Sequence, residues 1–179
     1  MELLEQQTEL LEQFARGELE AFETLFRQFQ GDVYRWIVRI VRDPGVAEDL
    51  TIETFWRIHK AHARFDPERS FGAWARRIAT NAALDHLKTT RPEVALARDF
   101  PVAASPNPGV QRDIRERTQR AFWQLPAKLQ AAATLALIED EPYKEIAEAL
   151  GISVGAVKVR VYRASRLLRK KLKEMGIEP

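Results

Sequence analysis

The sequence predicts an all-α chain of two small helical domains joined by a proline-rich linker. Three observations predict it. Apolar residues recur at helical spacing along most of the chain. Strand-like alternation is confined to Val157-Lys158-Val159-Arg160-Val161. Residues 92–109 gather four of the nine prolines (Pro92, Pro101, Pro106, Pro108) with Ser105, Asn107 and Gly109, a density that no helix survives. A length of 179 residues suits two such domains. We place them at 1–91 and 113–179, with the linker at 92–112.

The elements follow in order. Leu19, Phe22, Leu25, Phe26 and Phe29 form one stripe of a helix over 18–42, continued by Val33, Trp36, Ile37 and Ile40. Asp43-Pro44-Gly45 breaks it. Asp43 can cap the next helix, with Pro44 at its first position; that helix runs to about His62. Residues 64–67 read as a loop. Ser70 can cap a long helix from Phe71 to about Thr89, with Phe71, Trp74 and Ile78 on its apolar stripe. Beyond the linker, helices are expected at about 110–124, from after Pro126 to about Ile138, at 142–150 and at 153–173.

The last two helices form a helix-turn-helix pattern. Tyr143, Ile146, Ala147 and Leu150 share one face. Gly151 supplies the left-handed residue of a tight turn, and Ser153 can cap the helix that follows. There Val157, Val161, Ala164 and Leu168 repeat at helical spacing, so the β-branched alternation yields to the longer pattern. The opposite face carries Lys158, Val159, Tyr162, Arg163 and Arg166, with Arg160 at its edge. Arginine and lysine suit guanine edges and phosphates; Val159 and Tyr162 suit thymine methyls or sugar. A solvated basic helix is the bland alternative, and the joint occurrence of cap, turn, stripe and basic face favours DNA.

The net charge of +2 conceals a gradient. Residues 1–30 sum to −5 and residues 143–179 to +5, with no acid from Ala156 to Lys173. Such asymmetry points to an anionic polymer as partner. The absence of cysteine excludes disulfides, thiolate metal sites and cysteine nucleophiles. No apolar run reaches the ~18 residues of a membrane span, and the acidic start lacks the basic head of a secretion signal. A cytoplasmic protein without membrane insertion is expected. No phosphate-binding glycine loop and no nucleophile–base–orienter pattern is present, so an enzyme is not expected. His59 and His62 stand one turn apart, but without companion ligands and beside Lys60 and Arg64 they make a poor metal site. No cofactor and no metal is expected.

In the first half, Glu48, Asp49 and Glu53 cluster near a helix start. They complement the helix dipole, or form an acidic docking face for a basic partner. Arg76, Arg77, Asn81, Asp85 and Lys88 interleave with the apolar stripe of their helix. Cations beside amide and carboxylate groups suit exposed single-stranded bases, and equally an ordinary polar face.

Residues 46–88, VAEDLTIETFWRIHKAHARFDPERSFGAWARRIATNAALDHLK, resemble conserved region two of bacterial RNA polymerase sigma factors of the extracytoplasmic-function (ECF) class. The family pattern is roughly A-E-D-L-x-Q-E-x-F, then F-x-x-W-L-x-x-I-A-x-N-x-x-x-D-x-x-R. Residues 125–168, from LPAKLQ through YKEIAEALGISVGAVKVRVYRASRLL, resemble region four, with its L-P-x-x-x-R and its Y-x-E-I-A-x-x-L-G-x-S-x-G-T-V-K-S-R. The order of the two, with a proline-rich linker between, carries the resemblance. There are departures. Ile52 stands for the usual glutamine, Lys88 for arginine, Gln130 for the arginine of L-P-x-x-x-R, and Pro142 for the serine before Tyr143. Ala156 and Val159 stand for a threonine and a serine, so two hydroxyls are missing from the presumed DNA face.

The resemblance implies a promoter-specificity subunit that binds core RNA polymerase, through the β′ coiled coil and the β subunit, and promoter DNA. It places core docking on Glu48, Asp49, Leu50, Glu53, Phe55 and Trp56. It places minus-ten contacts on Phe65, Trp74, Arg77, Asn81, Asp85 and Lys88. It places minus-thirty-five contacts on Ser153, Lys158, Val159, Arg160, Tyr162, Arg163 and Arg166. An anti-sigma factor is an implied partner. About 20 linker residues reach at most ~70 Å and average ~25 Å as a free coil, so engaging both promoter elements requires a nearly extended linker. The readings from other classes are a stand-alone helix-turn-helix regulator with an N-terminal sensing or dimerisation domain, and a helical metal protein using His59 and His62.

Overall fold

The structure, a computed structural model, describes residues 2–90 and 108–177. All regular elements among them are helical: α1 Glu2–Ala15, α2 Leu19–Val41, α3 Pro44–Lys60, a 3₁₀ turn His62–Arg64, α4 Phe71–Thr89, α5 Pro108–Trp123, α6 Ala127–Ala133 running into a π turn Thr134–Ile138, α7 Tyr143–Leu150 and α8 Val154–Glu174. Most of the expected linker lies outside the described residues. Its last part does not, because α5 already begins at Pro108. A proline at a first helical position loses no hydrogen bond, which is why the helix can start there.

The chain forms two compact units, Met1–Ala83 and Leu84–Pro179. The division falls within α4, whereas composition puts the boundary at 91.

In the first unit local chemistry sets the helix ends. Asp43 accepts the Val46 N–H at 3.1 Å, with Pro44 at the first position of α3. Arg42 closes α2 in the left-handed region at φ 56°. Ser70 Oγ accepts the Ala73 N–H at 3.3 Å, starting α4. The core is built from Leu25, Ile37, Ile40, Val41, Ala47 and Ile58. Beside it lies an aromatic cluster in which Phe14 meets Phe71 edge-on at 5.4 Å and Phe65 at 5.7 Å. Helix α1, which the sequence reading does not predict, supplies Leu11 and Phe14 to this core. The chain turns away from it at Gly17, at φ 86°, where an added Cβ would stand 2.8 Å from His62 Cε1.

In the second unit Ala131, Ala132, Ala133, Leu135, Ile146, Val157, Val161 and Ala164 are buried. Arg117 Nη1 donates to the Met175 carbonyl at 2.8 Å, and Lys171 Nζ to Gln124 Oε1 at 2.9 Å, tying α5 to the C-terminal part of α8. The π turn carries the wide spacing expected of it, Glu139 N–H to Thr134 O at 3.0 Å.

Candidate nucleic-acid and partner interfaces

Three helix faces carry the residues singled out from sequence. The first is on α8. Gly151 turns the chain at φ 64°, ψ 38°. Ser153 Oγ then accepts the Ala156 N–H at 3.1 Å and starts the helix. Ser153 is therefore engaged in capping. Val157, Val161, Ala164 and Leu172 are buried. Leu168, expected on that stripe, is half-buried. Lys158, Val159, Tyr162, Arg163 and Arg166 are exposed together and Arg160 is half-buried. Arg169, which sequence reasoning did not single out, continues the face. With Tyr162, Ser165 and Arg166 it lines a shallow concavity. Its signal was its spacing, seven after Tyr162 and three after Arg166.

The second face is on α4. Arg77, Asn81, Asp85 and Lys88 are all exposed, at intervals of four, four and three. Lys88 Nζ sits 3.0 Å from Asp85 Oδ1. Trp74 and Phe65 are placed differently. Phe65 is buried and Trp74 half-buried, with ring centroids 5.0 Å apart in the aromatic cluster. Phe65 thus serves the core of the free protein.

The third face is on α3. Glu48, Asp49 and Glu53 are exposed, and Glu53 accepts from Arg57 Nε at 3.0 Å. Leu50 and Phe55, expected as apolar anchors for a partner, are buried within the unit. The exposed apolar side chains here are Ile52, 64% accessible, and Trp56, 58%. With exposed Leu19 and half-buried Phe22 and Phe26 they line a groove between α2 and α3. Leu19 and Ile52 are absent from the sequence-derived docking set, although Leu19 opens the apolar stripe of α2. The Lys60 ammonium lies 4.6 Å from the Trp56 ring centre, and His59 stacks on the same indole at 6.2 Å.

His62 has a separate task. Its Nδ1 lies 3.2 Å from the Ala15 carbonyl, at the end of α1. The two histidines therefore serve different contacts, and no group of three or more potential ligands for a metal gathers among the described residues. No helix among them is long and apolar enough to cross a membrane.

Residues 25–93 match the family described as Sigma-70 region 2, and residues 115–168 match Sigma-70, region 4. The chain is 33% identical to the RNA polymerase sigma factor CarQ of Myxococcus xanthus, over 94% of this chain and 98% of that one. It is 28% identical to the ECF RNA polymerase sigma factor SigW of Bacillus subtilis, over 92% of this chain and 96% of that one. The chain belongs to the ECF class of RNA polymerase sigma factors. A solved structure of CnrH in complex with the cytosolic domain of CnrY shares the fold of this sigma factor, with a TM-score of 0.58 and 24% identity, covering 94% of this chain and 97% of that one. This sigma factor directs RNA polymerase to promoters, binds the polymerase and is not itself an enzyme. Of its departures from the family pattern, Ile52 faces solvent and Gln130 is buried. The Gln130 side-chain nitrogen has no hydrogen-bond partner among the described residues.

Proposed function

We propose that this sigma factor reads two promoter elements with two separate domains, 1–91 and 113–179, joined by the proline-rich linker 92–112, whose last five residues are wound into α5. Helices α7 and α8 act as a helix-turn-helix, and α8 enters the major groove of the minus-thirty-five element. The observation that carries this reading is the outward face of α8. A capped helix buries Val157, Val161 and Ala164 and presents Lys158, Val159, Tyr162, Arg163 and Arg166 together, in a stretch without an acid. Helix α4 contacts the minus-ten element. Arg77 and Lys88 hold phosphates, while Asn81 and Asp85 meet the edges of unstacked bases on the non-template strand. Phe65 and Trp74 act behind that face, their rings tilted against one another at 5.0 Å.

Core polymerase docks on α3. Glu48, Asp49 and Glu53 supply charge that steers a basic partner, and Trp56 supplies an aromatic anchor. Leu50 and Phe55 hold α3 in place from inside, as their burial requires. The protein works in the cytoplasm, where an anti-sigma factor holds it inactive. Transcription in vitro with core polymerase on genomic DNA tests the reading. Start sites should share one pair of elements at fixed spacing. Starts identical to those of core polymerase alone would refute it.

A further inference from the structure

The outward face of α8 sets an apolar side chain at its centre among basic ones. Val157, Val161 and Ala164 are buried, and at 3.6 residues per turn Val159 lies opposite that stripe. Val159 is 48% accessible and Tyr162, on the next turn, 66%. Neither stability nor solubility accounts for an exposed valine there. It gains little from burial, and its β-branched side chain loses rotamer freedom in a helix. Arg163 and Arg166 lie beside it, also exposed. They match phosphates and guanine edges. What a valine matches is different. Among the groups that base pairs offer in the major groove, the thymine C5-methyl is the apolar one. Val159 is in the first half of α8, the part of a recognition helix that meets base edges, while Lys158 and Arg160 flank it toward the phosphate walls.

We propose that Val159 is a specificity determinant that packs on a thymine C5-methyl in the minus-thirty-five element. This rests on the reading of α8 as the helix that enters the major groove. The chain then demands thymine at one position through an apolar contact, where a serine would offer a hydrogen bond.

The test uses holoenzyme assembled from the full chain and core RNA polymerase. A promoter library randomised over the minus-thirty-five element first yields the preferred sequence. Each thymine in it is then replaced by deoxyuridine, which keeps every hydrogen-bonding group and deletes only the methyl. One replacement should weaken binding about fourfold, the weight of one buried methyl-sized group. With Val159→Ser, thymine and deoxyuridine at that position should bind alike. Val159→Ala, a better helix former, should narrow the difference without loss of helicity. If deoxyuridine is neutral at every position, or if Val159→Ser weakens all sequences equally, the assignment of Val159 is overturned while the placement of α8 stands. If the library yields no preferred sequence in this element, the placement of α8 falls and the proposal falls with it.

Discussion

The indole nitrogen of Trp36 donates a 2.8 Å hydrogen bond to the Thr80 hydroxyl in the buried core of the first unit. Thr80 in turn donates to the Arg76 carbonyl at 2.8 Å, and the Arg76 guanidinium lies 4.6 Å from the Trp36 ring centre. This contact joins α2 to α4 and sets the rotation of α4. With Thr80 and Ala79 turned inward, Arg77 and Asn81 must face out. Thr80→Val keeps the shape but strands the indole N–H. It should cost ~1–3 kcal/mol, read as a lower thermal midpoint. An unchanged midpoint would mean that α4 is oriented by apolar packing alone.

Gly17→Ala should destabilise the first unit by ~1–2 kcal/mol, the cost of a left-handed backbone for a residue with a Cβ. The new methyl also meets the His62 ring. Urea denaturation measures the loss. His62→Ala combined with Gly17→Ala should lose less than the sum of the two single variants, because the collision is removed.

Residues 55 and 56 should separate folding from docking. Phe55→Ala empties a buried site and should cost ~3–5 kcal/mol of stability. Trp56→Ala should leave the midpoint nearly unchanged and cost ~2 kcal/mol of binding to core polymerase, as an interface tryptophan does. Asp49→Arg and Glu53→Arg should also weaken capture of the polymerase with the circular dichroism spectrum intact. Wild-type capture by both reversals and by Trp56→Ala would move the docking surface off α3.

Asn81→Ala should slow open-complex formation on duplex promoters, and less so on templates with a pre-opened bubble. Permanganate footprinting of unpaired thymines follows the opening. Equal loss on both templates would give Asn81 a role in holding the strand without one in melting it.

Arg163→Ala should cost ~1–3 kcal/mol and relax preference at one or two minus-thirty-five positions. Lys158→Ala should weaken all promoters alike and lower the salt slope by about one unit. Holoenzyme binding across variant promoters at several salt concentrations distinguishes them. Exchanged behaviour of the two variants would mean that α8 is rotated in the groove.

Much of this fold can be read from sequence because its signals are local. Asp43, Pro44, Ser70, Gly151 and Ser153 each mark a helix end through a neighbour within three or four residues. The inward and outward faces of α8 follow from one uninterrupted stripe. Helix α1 leaves weaker marks. Its core residues Leu11 and Phe14 sit among acids and glutamines, and of the rings around Phe14 only Phe22 is near in sequence, while Phe65, Phe71 and Trp74 are about fifty or more positions away. The π turn in 134–138 has no compositional signature, because one extra residue in a helical turn leaves the apolar content unchanged. On α3 periodicity gives two apolar stripes, one through Leu50, Phe55 and Ile58 and another through Ile52 and Trp56. Only packing against α2 decides that the first turns inward and the second outward.

That outward stripe gives the protein a built-in spectroscopic reporter. The chain has four tryptophans. Trp36 and Trp123 are enclosed, Trp74 is half-enclosed, and Trp56 stands in water beneath a lysine ammonium. Fluorotryptophan incorporated into this chain alone would therefore give a fluorine resonance from Trp56 that tracks a change from water to solvent D₂O, while those of Trp36 and Trp123 stay shielded. Adding unlabelled polymerase should abolish that isotope shift and leave the two enclosed resonances in place. The occupancy of α3 could then be followed by resonance intensity, without a cysteine, a dye or a fusion tag.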